Sequence, residues 1–265
     1  MIPAERQHVI LSCLAERDVV SIADLMDRLG VSHMTVRRDI QALEGAGRVC
    51  SVTGGVRLSR RLAQELPHLQ KAAMNTGAKR AVGQAAADLV RDGMVIYLDA
   101  GTTLLELARQ IAGRRGLTVV TNDFVICAWL STHSDCTLYH SGGLVERANQ
   151  SCVGGAASEA LARFNYDIAF ISTSSWTLSG LSSPSEAKAA VKRVAVRQAR
   201  RSVLVSDSTK YGAVAAVNIL ALSALDTIVT DDRMDAGHAR ALRETGAEVI
   251  LDDSAPDPDI KEGVP

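Results

Sequence analysis

Residues 31–40 read VSHMTVRRDI, a stretch in which short hydroxyl side chains precede two adjacent arginines. Ser32 and Thr35 stand where a helix would begin, so their hydroxyls and the nearby backbone amides suit contacts to phosphate. Arg37 and Arg38 can each donate paired hydrogen bonds to guanine or to phosphate. An amphipathic helix with a solvated arginine face is the competing interpretation. Apolar residues at helical spacing predict an inward face made of Val36, Ile40 and Leu43.

The neighbouring segments favour a helix that enters a DNA groove. A short turn containing Gly30 separates the predicted helix 22–29 from the arginine-bearing helix, a spacing typical of a helix-turn-helix. Residues 53–55 (TGG) predict a hairpin whose two arms carry Arg48 and Arg57, forming a basic wing. The predicted DNA-contacting residues are Ser32, His33, Thr35, Arg37, Arg38, Gln41, Arg48 and Arg57.

The distribution of charge supports the same interpretation. Residues 28–61 carry a net charge of +5 and residues 1–27 carry −3, whereas the whole chain of 265 residues carries only −1. Aromatic residues make up 3% of the chain, which argues against recognition of single-stranded RNA by stacking. Double-stranded DNA is therefore the expected nucleic-acid partner.

No metal, cofactor or membrane partner is expected. The five cysteines include no Cys-x-x-Cys pair, and no apolar run is long enough for a membrane span, so the cytoplasm is the expected location. His133, Cys136 and His140 are close in sequence, but the last two fall on a predicted strand, where ordinary packing is the better interpretation. The chain has no Gly-x-Ser-x-Gly elbow that would indicate a nucleophilic enzyme.

From residue 78 onward, apolar strands of four to six residues alternate with amphipathic helices, which predicts a mostly parallel sheet covered on both faces. Residues 99–103 (DAGTT) lie between a strand and the start of a helix and can offer amides and hydroxyls to an anion. A plain turn with a threonine cap is the alternative. Because ligands bind at the carboxyl ends of parallel strands, Lys210 in a later loop of this kind is a candidate partner for phosphate, although a single loop lysine is often only solvated.

Residues 21–58 closely resemble the winged helix-turn-helix of the DeoR family of bacterial transcription regulators. The most specific part is residues 32–40, followed by Leu43 and the Gly-Gly turn of the wing. The family often has a basic residue and a histidine before that turn, where this chain has Val52 and Thr53, so the resemblance covers the helix better than the wing.

The resemblance continues to about residue 250 and implies an effector domain that is similar in fold to ribose-5-phosphate isomerase. In this family the domain senses phosphorylated sugars or related metabolites. Residues 99–103, 121–122 and 207–212 match its ligand loops, and Glu186 and Lys192-Arg193 match a neighbouring helix. The isomerases have an acidic loop where this chain has no carboxylate between residues 167 and 186, which indicates binding without turnover. The resemblance implies effector-site residues Asp99, Gly101, Thr102, Thr103, Thr121, Asn122 and Lys210, and the position of other loops in the predicted sheet adds Gly142, Gly143 and Ser175.

We therefore expect an α/β protein in which a small winged helix-turn-helix (residues 1–59) and a linker (60–77) precede a larger α/β sandwich (78–252) with a mostly parallel sheet. Residues 253–265 are acidic and proline-rich and are expected to be disordered. The expected function is repression of a carbohydrate-utilisation operon by a homo-oligomer under the control of a phosphorylated sugar-like effector. An isomerase-type enzyme with an accessory DNA-binding module, and a helix-turn-helix used only for protein contacts, are the alternatives.

Overall fold

The computed structural model describes residues 1–252, and the predicted disordered tail at 253–265 lies outside this range. The first domain contains three helices and a three-stranded antiparallel sheet with the strand order β1-β3-β2. Its elements are α1 (Pro3–Glu16), β1 (Val20–Ser21), α2 (Ile22–Leu29), α3 (His33–Gly45), β2 (Val49–Val52) and β3 (Gly55–Leu58). This arrangement confirms the predicted winged helix-turn-helix.

Local sequence determines where the helices of this domain begin and end. Ser21 accepts a hydrogen bond from the Asp24 amide (3.0 Å) at the start of α2, and Gly30 ends that helix at a φ of +63°. Ser32 caps α3 in the same way by accepting from the Thr35 amide (3.4 Å). The three helices and the sheet then enclose one apolar core, which includes Ile10, Leu25, Val36, Ile40, Leu43 and Val56.

The second domain is built on seven parallel strands in the order β17-β16-β13-β10-β5-β6-β7, as the alternating pattern predicted. These strands are β5 (Val95–Leu98), β6 (Thr118–Thr121), β7 (Thr137–His140), β10 (Tyr166–Ile171), β13 (Ala199–Val205), β16 (Thr227–Asp231) and β17 (Glu248–Asp252). The six helices of this domain are α5 (Thr76–Ala87), α6 (Thr102–Ile111), α7 (Phe124–His133), α8 (Gly154–Leu161), α9 (Glu186–Arg197) and α10 (Ala236–Glu244). Successive strand residues belong to two separate apolar cores, one on each face of the sheet, which confirms the α/β sandwich.

Short strands complete the second domain. β8 (Leu144–Glu146) pairs with β9 (Ser151–Val153), and β11 (Ser175–Thr177), β12 (Gly180–Ser183) and β15 (Val217–Leu220) form a small antiparallel sheet. β14 (Ala213–Val214) pairs with β4 (Arg60–Arg61), which directly follows the wing. Within residues 1–252, no helix combines the length and the apolar character needed to cross a bilayer.

The segment predicted to be a linker, residues 60–77, is attached to the second domain along much of its length. β4 pairs with β14, α4 (His68–Ala72) is a short helix, and α5 begins at Thr76, two residues before the predicted domain boundary. Lys79, on α5, donates hydrogen bonds to the Lys71 and Met74 carbonyls and fixes the end of this segment. We call residues 60–75 the connecting segment.

Candidate functional site

The outer face of α3 carries most of the predicted DNA-contacting side chains. Thr35 is half-buried, and its hydroxyl lies 3.0 Å from the Ser32 hydroxyl at the start of the helix. The residues of this face that are exposed are Ser32, His33, Arg37, Arg38 and Gln41. A helix whose opposite face is buried and whose exposed face carries hydroxyls, an amide and two arginines has the composition required to contact a DNA groove.

Asp39 is one of the two acidic residues of the same helix, and it faces inward. It is 4% exposed, and Arg6 of α1 holds both of its carboxylate oxygens, at 2.6 Å from Nε and 3.1 Å from Nη2. The pair neutralises a charge that would repel phosphate and fixes α3 against α1. No local sequence pattern points to Arg6, which is 33 residues away from Asp39 in the chain.

The two wing arginines differ in exposure. Arg48 is exposed, but Arg57 is half-buried and lines a cleft of about 250 Å³ between the wing and the second domain. Arg57 lies opposite Cys50 in the β2–β3 register, on the side that faces Tyr211.

Three side chains that could ligate a metal meet beside this cleft. The ligand atoms of Glu44, Cys50 and His238 lie within 4.8 Å of one another, and Glu44 Oε1 accepts a hydrogen bond from the Ser51 amide (2.5 Å). Burial, reinforced by the Glu44 carboxylate, raises the pKa of the Cys50 thiol to about 11. The geometry therefore supports a polar contact between the wing and α10 of the second domain.

A cavity of about 400 Å³ lies at the carboxyl ends of the central parallel strands. Thr121, Gly142, Gly143 and Ser175, which the sequence assigned to the effector site, are not among the residues that line it. Thr121 donates its hydroxyl to the Leu98 carbonyl (2.7 Å) inside the sheet, and Ser175 bonds Ser182 in the small antiparallel sheet. The predicted effector residues that do line the cavity are Asp99, Gly101, Thr102, Thr103, Asn122 and Lys210.

The loop between β5 and α6 forms one end of the cavity. Gly101 has a φ of +156°, and its amide donates a hydrogen bond to Asp123 (3.1 Å). Thr102 and Thr103, in the first turn of α6, line the cavity, and first-turn amides have no partner within their own helix. A β-carbon on Gly101 would lie 3.3 Å from the Ser172 side chain, so the loop conformation and its packing both suit glycine. Within residues 1–252, the buried Thr103 hydroxyl has no hydrogen-bond partner. Amides and hydroxyls at a helix start form a site for an anion.

Asp99 is an internal anchor of this loop. Its carboxylate accepts hydrogen bonds from the Ser172 amide (2.9 Å), the Ser172 hydroxyl (3.0 Å) and the Tyr97 hydroxyl (3.2 Å), and it forms an ion pair with Lys192. Burial first, and then the Asp99 charge, raises the pKa of Tyr97, which keeps that donor protonated. With its oxygens engaged in this way, Asp99 positions the loop and Lys192.

Glu65 reaches into the other part of the cavity from the connecting segment. Its Oε2 lies 2.5 Å from Lys188 Nζ and 3.6 Å from Lys71 Nζ, and its Oε1 accepts the Ser174 hydroxyl at 2.7 Å. Burial alone would raise the pKa of Glu65, but the two lysines outweigh it and lower the pKa to about 2. Burial lowers the pKa of Lys71 to about 8. No local sequence pattern indicates these residues, because they meet only in the folded chain.

The cavity suits binding of an anion better than proton transfer. It is lined by Arg60 and five lysines, and each of its three lining carboxylates is held by a lysine: Glu65 by Lys188, Asp99 by Lys192, and Asp207 by Lys210 (3.1 Å). Thr173 and Ser174, which are polar and uncharged, also line the cavity. The cavity-lining residues therefore provide no carboxylate without an ionic partner to act as a base.

A DNA-binding helix joined to a cavity that suits small anions defines a ligand-responsive transcriptional regulator. The DeoR-like helix-turn-helix domain matches residues 6–61, and the DeoR C terminal sensor domain matches residues 74–232. The chain belongs to the DeoR family of DNA-binding transcriptional regulators.

Relatives of known name agree with this assignment. The chain is 50% identical to the uncharacterized HTH-type transcriptional regulator YgbI of Escherichia coli K12 and 47% identical to an uncharacterized HTH-type regulator of Haemophilus influenzae, each over 95% of this chain and 98% of that protein. It is 31% identical to the lactose phosphotransferase system repressor of Lactococcus lactis over 88% of this chain and 92% of that protein. Among solved structures, ribose 5-phosphate isomerase A of Methanocaldococcus jannaschii matches with a TM-score of 0.37 and 20% identity, over 50% of this chain and 53% of that one.

Proposed function

We propose that this regulator is a repressor of a carbohydrate-utilisation operon and that a phosphorylated sugar-like effector controls its binding to DNA. The observation that carries the proposal is the cationic cavity at the start of α6, which is closed on one side by the segment that leads to the wing. The name of the Lactococcus lactis relative, a repressor of a sugar system, supports the same role. The cytoplasm, where the DNA lies, is the proposed location.

On the DNA side, we propose that α3 enters the major groove and that Arg37 and Arg38 contact phosphate and base edges. The predicted contacts Ser32, His33, Thr35 and Gln41 share its exposed side, and Arg48 on the wing is accessible to the flanking backbone. Paired half-sites require two copies of such a helix related by symmetry, so the active species is proposed to be a homo-oligomer.

On the effector side, we propose that phosphate binds at the amides and hydroxyls of residues 101–103, with Lys210 as a charged partner. Lys210 lies on a short 3-10 turn whose Thr209 carbonyl accepts a hydrogen bond from Arg60 (3.2 Å). Arg60 belongs to β4, only two residues after the last strand of the wing. A ligand that moves Lys210 therefore acts next to the strand that joins the two domains.

Coupling between the sites follows from this connection. If the effector binds more tightly to the conformation that cannot contact DNA, it must weaken operator binding by the ratio of its two affinities. The contacts of β4 with β14, and of Cys50 with His238 (3.9 Å), are the connections between domains that such a change would alter.

A thermal-shift screen of phosphorylated sugars and polyols tests the proposal. A ligand that binds only the folded protein raises the melting temperature, and this shift should disappear in Lys210→Ala and in Thr102→Ala. Arg163→Ala, an exposed position away from the cavity, is the control that should keep the shift. If no phosphorylated compound of the screen stabilises the wild-type chain, the effector part of the proposal is wrong.

A further inference from the structure

The environment of Glu65 is that of a bound carboxylate. One of its oxygens lies near two ammonium groups, of Lys188 and Lys71, and the other accepts a hydroxyl, of Ser174. The side chain of Glu65 is 12% exposed and that of Lys188 is 10% exposed. This set of donors is complete for a carboxylate, and it is built by residues of the second domain and α4 around a side chain that arrives from outside the domain core.

The part of the chain that carries Glu65 is attached less firmly than its surroundings. The Leu62 amide donates to Val214 (2.8 Å) at the end of the β4 pairing, and α4 begins at His68. Between them, residues 63–67 have no helix or strand, and Leu66 is 46% exposed. The ion pairs of Glu65 are therefore a principal attachment of this stretch to the cavity.

The site of Glu65 and the proposed phosphate site belong to the same cavity of about 400 Å³. This volume is within the range of roughly 300–1,000 Å³ usual for sites of small molecules. One small ligand with an anionic group at each end can thus reach both the start of α6 and the Lys188 amine.

We propose that Glu65 is a replaceable substitute for a carboxylate of the effector, and that the cavity selects phosphorylated sugar acids. The inference rests on the proposed function, because it keeps the phosphate at residues 101–103. The acid group of the ligand takes the position of the Glu65 carboxylate between Lys188, Lys71 and Ser174. Glu65 leaves, and residues 63–67 lose their attachment to the cavity.

The chemistry of the exchange explains the selectivity. When one carboxylate replaces another, the buried ammonium groups keep an anionic partner throughout. An aldehyde or a hydroxyl in the same place would leave Lys71 without a carboxylate partner and Lys188 with Glu146 alone (3.2 Å), and a buried charge that loses its partner is strongly unfavourable. A sugar phosphate without an acid group would therefore bind with Glu65 still in place.

Because Glu65 lies seven residues after Leu58, the last residue of the wing strand β3, its release acts close to the DNA-binding domain. Ligand binding would replace an attachment within the chain by one to the ligand. This links effector binding to the connection between the two domains without requiring the sheet to move.

The test compares matched compounds by isothermal titration of the full chain: 6-phosphogluconate against glucose 6-phosphate, and 4-phosphoerythronate against erythrose 4-phosphate. We expect at least one acid to bind at least tenfold more tightly than the matched sugar phosphate, which has no carboxylate. Glu65→Gln removes the competing charge and should tighten binding of that acid several-fold, with little change for the matched compound without a carboxylate. The exposed Glu159→Gln is the matched control and should change neither.

Lys188→Gln completes the design, since it should abolish the preference for the acid while retaining the affinity for the sugar phosphate that has no carboxylate. Equal or tighter binding of the compound without a carboxylate, in both pairs, would overturn the inference and leave the proposed function standing. Weaker acid binding by Glu65→Gln, in a variant that still unfolds cooperatively, would also overturn it. If none of the four compounds binds, the proposed phosphate site and this inference both fail.

Discussion

Removing both charges of the buried pair between Asp99 and Lys192 should destabilise the second domain by less than the sum of the two single removals. The two residues are 1% and 7% exposed. Asp99→Asn leaves the Lys192 ammonium with only the Ser172 oxygens, and Lys192→Met leaves the carboxylate with Ser172 and Tyr97. Since an uncompensated buried charge costs about 3–5 kcal/mol, each single variant is expected to lose that much stability. The double variant should lose about 1–3 kcal/mol less than the sum of the two.

Urea unfolding followed by tryptophan fluorescence measures this cycle, because both tryptophans, Trp129 and Trp176, belong to the second domain. The Arg240–Glu244 pair, whose side chains are 82% and 62% exposed, is the matched surface control. Its removal is expected to cost less than about 1 kcal/mol. Single-variant losses below about 1 kcal/mol, or additivity within about 0.3 kcal/mol, would refute the role of the pair as the anchor of the ligand loop.

Three further predictions concern other parts of the molecule. Arg38→Ala should weaken operator binding in anisotropy titrations by about 1–3 kcal/mol, whereas Arg163→Ala should not. Because the pKa of Glu65 is lowered to about 2, from an ordinary value near 4.5, its ion pairs stabilise the fold above pH 4.5 and are lost as the pH falls toward 2. The difference in unfolding free energy between wild type and Glu65→Gln, at most about 3 kcal/mol, should be constant from about pH 5 to 7 and shrink below 4.5. Gly101→Ala should cost about 1–3 kcal/mol in urea unfolding, because it places a side chain at a φ of +156° against Ser172.

Each of these predictions has an outcome that contradicts it. Equal operator affinity of the Arg38→Ala and wild-type chains would remove that side chain from the DNA contact. A difference between wild type and Glu65→Gln that grows on acidification would reverse the sign expected for a lowered carboxyl pKa. A Gly101→Ala chain as stable as wild type would show that the loop does not require glycine.

Features that depend on neighbours in sequence could be predicted from the chain. The caps at Ser21 and Ser32, and the end of α2 at Gly30, use contacts within four residues. The alternation of apolar strands and helices likewise predicted the parallel sheet, because both faces of each strand are buried. The outer face of α3 follows directly from the helical spacing of Val36 and Ile40.

Features that depend on distant parts of the chain could not be predicted. Glu65 and Lys188 are separated by 123 residues, and no local pattern indicates that they meet. Arg57 lines the cleft between the wing and the second domain. Its environment therefore depends on how the second domain packs against the wing, which no local pattern indicates. Ser175 is polar and near the correct loop, but its hydroxyl is engaged by Ser182 within the small sheet. A polar residue in a loop therefore indicates a site only when its partners are also known.

The most direct test of the account is the dissociation constant of the full chain for a duplex selected from random DNA, measured with and without the phosphorylated compound that gives the largest thermal shift. The account predicts selection of a specific duplex and at least a tenfold rise in the dissociation constant when the compound saturates the cavity. A compound that binds the cavity without changing DNA affinity, or a chain that selects no duplex, would contradict it.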